Sequence, residues 1–362
     1  MTTPTPQPGI MEIALYQGGR SHLAGVRDVL KLSSNENPLG PPAAAIEALQ
    51  GAAASMHLYP STDHASLRAA IAEVWGLDAD RIICGVGSDE VLQFVTQAYA
   101  GVGDEIIHTA HGFSMYPILT HMCGATPVQV PERDRVVDVD AILGAVTART
   151  RVVLLTNPGN PTGTRLADTE IVRLADGLRE DIILVIDGAY TEYAAGYDGG
   201  LALAETRPNV LMTRTFSKIY GLGGLRVGWG YGPRAMIDVM TRIRQPFNLS
   251  VPALAAAEAA VRDIDWRDTC AALNADQRAR LTGALRQHGL ACDDSDTNFV
   301  LARAGSVAEA DAFEAALNAD GILVRRVAGY GFAEGLRITV GDAAQTGRVI
   351  DTLTRWRAED VA

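Results

Sequence analysis

The stretch Thr213-Arg-Thr-Phe-Ser-Lys-Ile-Tyr-Gly-Leu-Gly-Gly-Leu-Arg-Val-Gly-Trp-Gly230 places Lys218 behind two hydroxyl residues, Thr215 and Ser217, and sets Arg226 eight residues later among glycines. A lysine attacks a carbonyl only as the free amine, which a desolvating pocket or a neighbouring cation provides by lowering its pKa. Hydroxyls and a guanidinium fork bind phosphate oxygens, and glycines let the backbone come close to them. The stretch therefore suits a site that holds a phosphate and presents an amine to a carbonyl.

A second candidate group, Asp187, ends the apolar run Ile182-Ile-Leu-Val-Ile186. A carboxylate drawn in beside a buried strand needs a partner. A protonated pyridine nitrogen would serve, and a carboxylate that keeps it positive makes the ring an electron sink. Lysine, phosphate ligands and carboxylate together point to pyridoxal 5'-phosphate as the expected cofactor.

Alternating strands and helices must carry these groups. The short apolar run Arg81-Ile-Ile-Cys84 leads through Gly85-Val-Gly-Ser-Asp-Glu90 into a helix expected over 91–100. A glycine turn entering a helix offers free N–H groups and the positive end of the dipole, so Ser88 and Asp89 are candidate phosphate ligands. Glu90 stands where a dinucleotide fingerprint needs its third glycine, which favours a single phosphate. A helix cap made by Ser88 and Asp89 with no ligand is the alternative. Phe113 follows the strand expected over 104–108, where it could stack on a flat ring or pack beneath its loop. Arg151-Val-Val-Leu-Leu155 and Ile182-Ile-Leu-Val-Ile186 are continuous apolar runs, the mark of strands buried on both faces of a parallel sheet. Beyond Gly230, one long helical region over 253–288 leads to strands and helices in an α+β pattern. The expected organisation is an arm over 1–40, a large α/β domain over 41–252 and a smaller C-terminal domain over 253–362.

Of the 362 residues, 48% are hydrophobic and 20% charged, with a net charge of -12 that argues against a nucleic-acid footprint. Cys84, Cys123, Cys270 and Cys292 are widely spaced, so neither a metal site nor a disulfide framework is expected. With no signal-peptide pattern and no apolar run of about 18 residues, a cytoplasmic protein that does not enter membranes is expected.

Tyr16-Gln-Gly-Gly, Leu32-Ser-Ser-Asn-Glu-Asn-Pro, Tyr59-Pro, Gly87-Ser-Asp-Glu, Asn157-Pro-Gly-Asn-Pro-Thr-Gly163, Asp187-Gly-Ala-Tyr, the Lys218 stretch and Leu336-Arg-Ile-Thr occur in this order over nearly the whole chain. In them the sequence resembles the fold-type I pyridoxal-phosphate aminotransferases and, within these, the histidinol-phosphate aminotransferase family. The resemblance implies an α/β fold: a large domain with a mostly parallel sheet flanked by helices, and a smaller α+β C-terminal domain. It implies Lys218 as the Schiff-base lysine and proton carrier, Asp187 against the pyridinium nitrogen, and Asn160 and Tyr190 on the ring oxygen. Ser88, Asp89, Thr215, Ser217 and Arg226 would hold the phosphate. Phe113 stands where the family often has tyrosine, so ring contact is kept and a hydroxyl lost.

Tyr59 is implied to reach the cofactor of a neighbouring subunit, which makes the active unit a homodimer. Arg337 and Arg325 are implied to take the anionic ends of substrates, L-glutamate and histidinol phosphate, while Tyr16 and Asn37 close over them. Neighbours on a strand face opposite ways, so only one of Arg325 and Arg326 can enter the site. The implied reaction moves an amino group between L-histidinol phosphate and 2-oxoglutarate. An aromatic or broad-specificity aminotransferase on the same scaffold competes with it, because the cofactor residues are shared. A decarboxylase, a cofactor-retaining regulator and a pyridoxal-free nucleotide binder are the more distant alternatives.

Overall fold

The computed structural model describes residues 4–359 apart from 16, 17, 19, 24, 26 and 27. Among the described residues, seven strands form one sheet in the order Ile82–Gly85, Gly228–Tyr231, Val210–Thr215, Ile183–Asp187, Thr150–Thr156, Glu105–Thr109, Thr126–Val130. Gly228–Tyr231 runs antiparallel to both neighbours, and all other neighbours pair in parallel. The expected mostly parallel sheet is borne out. Its apolar runs serve two cores at once: Val153, Leu155, Leu184 and Ile186 belong to one cluster, and Val152, Leu154, Ile183 and Val185 to another. Alternate residues of a strand point to opposite faces, so a sheet covered by helices on both sides makes every position apolar.

Ends of elements depart from expectation where local signals are weak. The helix expected over 91–100 begins at Gly87 and runs to Tyr99, so Gly-Ser-Asp-Glu forms its first turn. Val86 precedes it and has no capping side chain; instead Glu90 reaches back and accepts the Val86 N–H at 2.6 Å. Gly228–Tyr231, at the end of the glycine-rich stretch after Lys218, is a buried strand. The helical region over 253–288 divides at Asp263, which caps Ile264–Gln287 by accepting the Trp266 N–H at 3.0 Å.

Counting the two clusters on the large sheet together as the first core, a second core lies around the antiparallel strands Phe299–Arg303, Gly335–Thr339 and Arg325–Arg326, with Phe313, Leu317, Val349, Leu353 and Trp356 packed beside them. The alanines of Val251–Arg262 remain in the first core, whereas Ile264–Gln287 carries Cys270 in the first and Leu281 and Leu285 in the second. The change of core therefore runs along that helix. Leu30–Lys31 pairs in parallel with Ile322–Leu323, which stitches the end of the arm to the second core. Among the described residues no helix is long and apolar enough to cross a membrane.

Candidate active site

A cavity of about 260 Å³ opens beyond the carboxyl ends of the parallel strands, where ligands bind in open α/β sheets. Ser88, Asp89, Phe113, Asn160, Asp187, Tyr190, Thr215, Ser217, Lys218, Arg226, Arg325 and Arg337 all line it. Gly85 and Thr215, far apart in the chain, converge there because the parallel strands all stop at the same edge.

One end of the cavity is built for an anion. The helix Gly87–Tyr99 points its N-terminus inward, and the Gly87 N–H donates to the Arg226 carbonyl at 3.0 Å. Arg226 has φ 55°, a left-handed conformation, and its guanidinium donates to Ser217 Oγ at 3.0 Å and to Asp89 Oδ2 at 3.0 Å. Arginine, two hydroxyls and free helix N–H groups thus meet around one place. The approach is close: a Cβ on Gly228 would lie 2.1 Å from the Ser88 nitrogen, and one on Gly87 2.5 Å from Arg226 Nη2. We therefore expect Gly228→Ala to push the strand off the helix, lowering stability by about 1–3 kcal/mol and weakening phosphate binding. Denaturant titration and cofactor titration of the variant measure the two effects.

Asp187 lies at the far end, 3% exposed. Thr213 donates to its Oδ1 at 3.1 Å and Tyr116 to its Oδ2 at 3.0 Å. Burial pushes the carboxyl up to about 6 despite these donors, with Asp89 adding to the rise. Lys218 is half-buried in the cavity, its Nζ donating to the Ser34 carbonyl at 3.4 Å and standing 5.7 Å from the centre of the Tyr190 ring. Loss of water, then Arg337 and Arg226, bring its amine down to about 8, so an appreciable fraction is uncharged near neutrality.

The Tyr190 hydroxyl accepts from Asn35 Nδ2 at 2.9 Å. Arg337 is buried and donates to Asn160 Oδ1 at 2.6 Å and to the Ser33 carbonyl at 3.1 Å. Arg325 faces Arg337 directly across the antiparallel pair, so both side chains share the cavity side. Arg326 points away, to Asp311 at 2.8 Å. The strand register thus selects Arg325.

Other expected residues lie elsewhere. Asn37 is not among the residues that line the cavity: its amide donates to the Ile219 carbonyl at 2.7 Å and to Cys270 Sγ at 3.2 Å, bracing the turn after Lys218. Asn35, two residues earlier with φ 55°, takes the inward position. Asparagine tolerates the left-handed region, but nothing local tells which of two asparagines in one loop adopts it. Tyr59 is 82% exposed and stacks on Phe247 with centroids 4.5 Å apart, away from the cavity of its own chain. Tyr16 lies outside the described residues. Thr156 and Tyr330 also line the cavity without any motif to announce them. Through Gly18, Arg325 and Tyr330 the cavity adjoins a larger one of about 660 Å³, walled by the arm residues Glu12–Leu15 and by Pro117, Ile118 and His121.

Anion donors at one end, a buried carboxylate at the other, the Phe113 ring on the wall and an amine of lowered pKa fit a flat, phosphorylated heteroaromatic aldehyde. Known proteins agree with this chemistry. Residues 27–353 match the family model of aminotransferase class I and II. A histidinol-phosphate aminotransferase of Ruegeria pomeroyi is 64% identical over 353 residues, 98% of each chain. One from a Jannaschia species is 61% identical over 355 residues, covering 98% of this chain and 99% of that one. Among solved structures, histidinol-phosphate aminotransferase from Sinorhizobium meliloti, in complex with pyridoxal-5'-phosphate, superposes with a TM-score of 0.85 at 29% identity over 93% of both chains.

Proposed function

The chain belongs to the class I and II aminotransferases, and from this we infer that it is a pyridoxal-phosphate enzyme moving an amino group between L-histidinol phosphate and 2-oxoglutarate. The other products are imidazole-acetol phosphate and L-glutamate, and the step belongs to histidine biosynthesis. The observation that carries the substrate assignment is the pair Arg325 and Arg337, opposed across two strands beside Lys218. Each substrate brings a carboxylate or a phosphate, and a buried guanidinium fork binds either with charge-assisted hydrogen bonds.

When bound, pyridoxal phosphate supplies an aldehyde that condenses with amines and a ring that withdraws electrons from the carbon beside it. Ser88 and Asp89 through their backbone, Thr215, Ser217 and Arg226 through their side chains, would hold the phosphate. Phe113 would cover the ring, and Asn160 and Tyr190 would donate to its oxygen. Asp187 would keep the ring nitrogen positive. Lys218 Nζ takes the proton that leaves the substrate α-carbon, which its lowered pKa permits near neutral pH. Arg337, held by Asn160 and Ser33, orients the anionic group so that this proton faces the amine.

The active unit is a cytoplasmic homodimer in this reading. Met56, Leu58 and Tyr59 are 69%, 57% and 82% exposed in one stretch, an apolar patch that a second copy would cover. Tyr59 would then reach the phosphate in the partner's site.

The test is a single-turnover half-reaction that follows loss of the cofactor's visible absorbance with L-histidinol phosphate and, separately, L-phenylalanine. We expect conversion at least about 10²-fold faster with the phosphate ester, because sites built for a polar group discriminate strongly against ligands lacking it. The reverse order would assign the enzyme to aromatic amino acids and leave the cofactor chemistry unchanged.

A further inference from the structure

Asp187 sits in a cross-strand row. Thr156 pairs with Asp187 and Asp187 with Thr213 in the parallel register, which brings three polar side chains to one level of an otherwise apolar sheet. Tyr116, on the helix Met115–Met122, covers the row; it is fully buried, with its ring edge-on to Phe113 at 5.9 Å. Its hydroxyl donates to Asp187 Oδ2 at 3.0 Å and is also hydrogen-bonded to Thr156 Oγ1.

A phenol has one proton. If that proton points at the carboxylate, Thr156 must donate its own to the phenol oxygen. Proton direction is therefore fixed along the line Thr156, Tyr116, Asp187, and each bond polarises the next. Packing alone would be met by phenylalanine, whose ring fills the same space without a buried hydroxyl to satisfy.

We infer that Tyr116, backed by Thr156, is a positioning residue that holds Asp187 as an anion against the cofactor's ring nitrogen and so sets the protonation of that nitrogen. The inference rests on the cofactor assignment above. Donors to the ionised form favour it, whereas burial and the Asp89 carboxylate across the cavity oppose it. Thr213 Oγ1 at the other oxygen and the Ala189 backbone N–H help on the favourable side. With the Tyr116 hydroxyl removed, the carboxylate becomes more basic and takes a larger share of the proton it holds in common with the ring nitrogen, so the nitrogen is less protonated at the same pH.

The experiment loads wild type, Tyr116→Phe and Thr156→Val with pyridoxal phosphate labelled with nitrogen-15 in the ring, and follows the ring-nitrogen chemical shift from about pH 6 to pH 9. A hydrogen bond to a charged group corresponds to about one to two pH units. We expect the Tyr116→Phe nitrogen signal to lie closer to its unprotonated position throughout this range, by a change of that size in the sharing ratio, about ten- to a hundredfold, and Thr156→Val to move in the same direction by less. A Tyr116→Phe signal identical to wild type overturns the inference, even if the variant unfolds at lower temperature, since that would be packing alone. Should Tyr116→Phe fail to fold, an unmoved signal in Thr156→Val overturns it as well. Normal cofactor uptake with unmoved signals sinks this inference only; a wild type that takes up no cofactor sinks the proposed function together with it.

Discussion

Lys218→Ala is expected to abolish turnover, with a fall of at least about 10⁴-fold in kcat, the upper end of what one positioned proton-transfer group contributes. The loss is large because, among the described residues, no other amine lines the cavity. Lys31 Nζ is committed to Glu36 at 2.7 Å, and Arg226 and Arg337, which also line the cavity, cannot lose a proton. The phosphate ligands lie on other residues, so the variant should still bind cofactor, which separates lost chemistry from lost binding. Steady-state transamination with cofactor content measured on the same sample provides the check. A variant cycling at the parent rate would rule out Lys218 as the base.

Asp187→Asn is expected to lower kcat by about 10²–10³-fold, since an amide cannot stabilise a positive ring nitrogen and charge-stabilising groups in buried sites have effects of this order. It also has a consequence without cofactor. The folded protein raises Asp187 from the ordinary 3.8 to about 6, so between these values it binds a proton that the unfolded chain does not. That stabilisation is complete below about pH 4 and is lost as pH rises through 6. The cofactor-free wild type should therefore lose about 3 kcal/mol of stability over that interval from this group, and Asp187→Asn should lack that component. Urea titrations of both proteins at pH 4 and pH 6.5 compare the slopes. Equal slopes would mean that Asp187 does not titrate as its burial requires.

Much of this site was legible because its chemistry is local. Lys218, Ser217 and Thr215 lie in one stretch, Asp187 ends an apolar run, and the Gly87-Ser-Asp-Glu turn marks a helix start after a strand. What failed were choices between near neighbours. Asn37 and Asn35 share one loop, and only the left-handed φ of Asn35 turns it inward. Gly228 looks like a loop residue, yet it serves a strand that must pass within van der Waals reach of Ser88. In the second core the alanine-rich helices gave no sign that Val251–Arg262 stays with the first, because small apolar residues fit either.

The amino-acid sequence by itself determined the reactive inventory, the doubly covered sheet and the order in which strand ends deliver their groups. These follow from side-chain chemistry and from hydrophobic periodicity, both written along the chain. Only the tertiary structure decided that Arg325 rather than Arg326 faces Arg337, and that Tyr116 stands over an aspartate 71 residues away. Only there does a second cavity adjoin the first through Arg325 and Tyr330. Strand order and register set these contacts; a shift of one residue would send every side chain to the other face, and no periodicity within a single strand records which partner it meets.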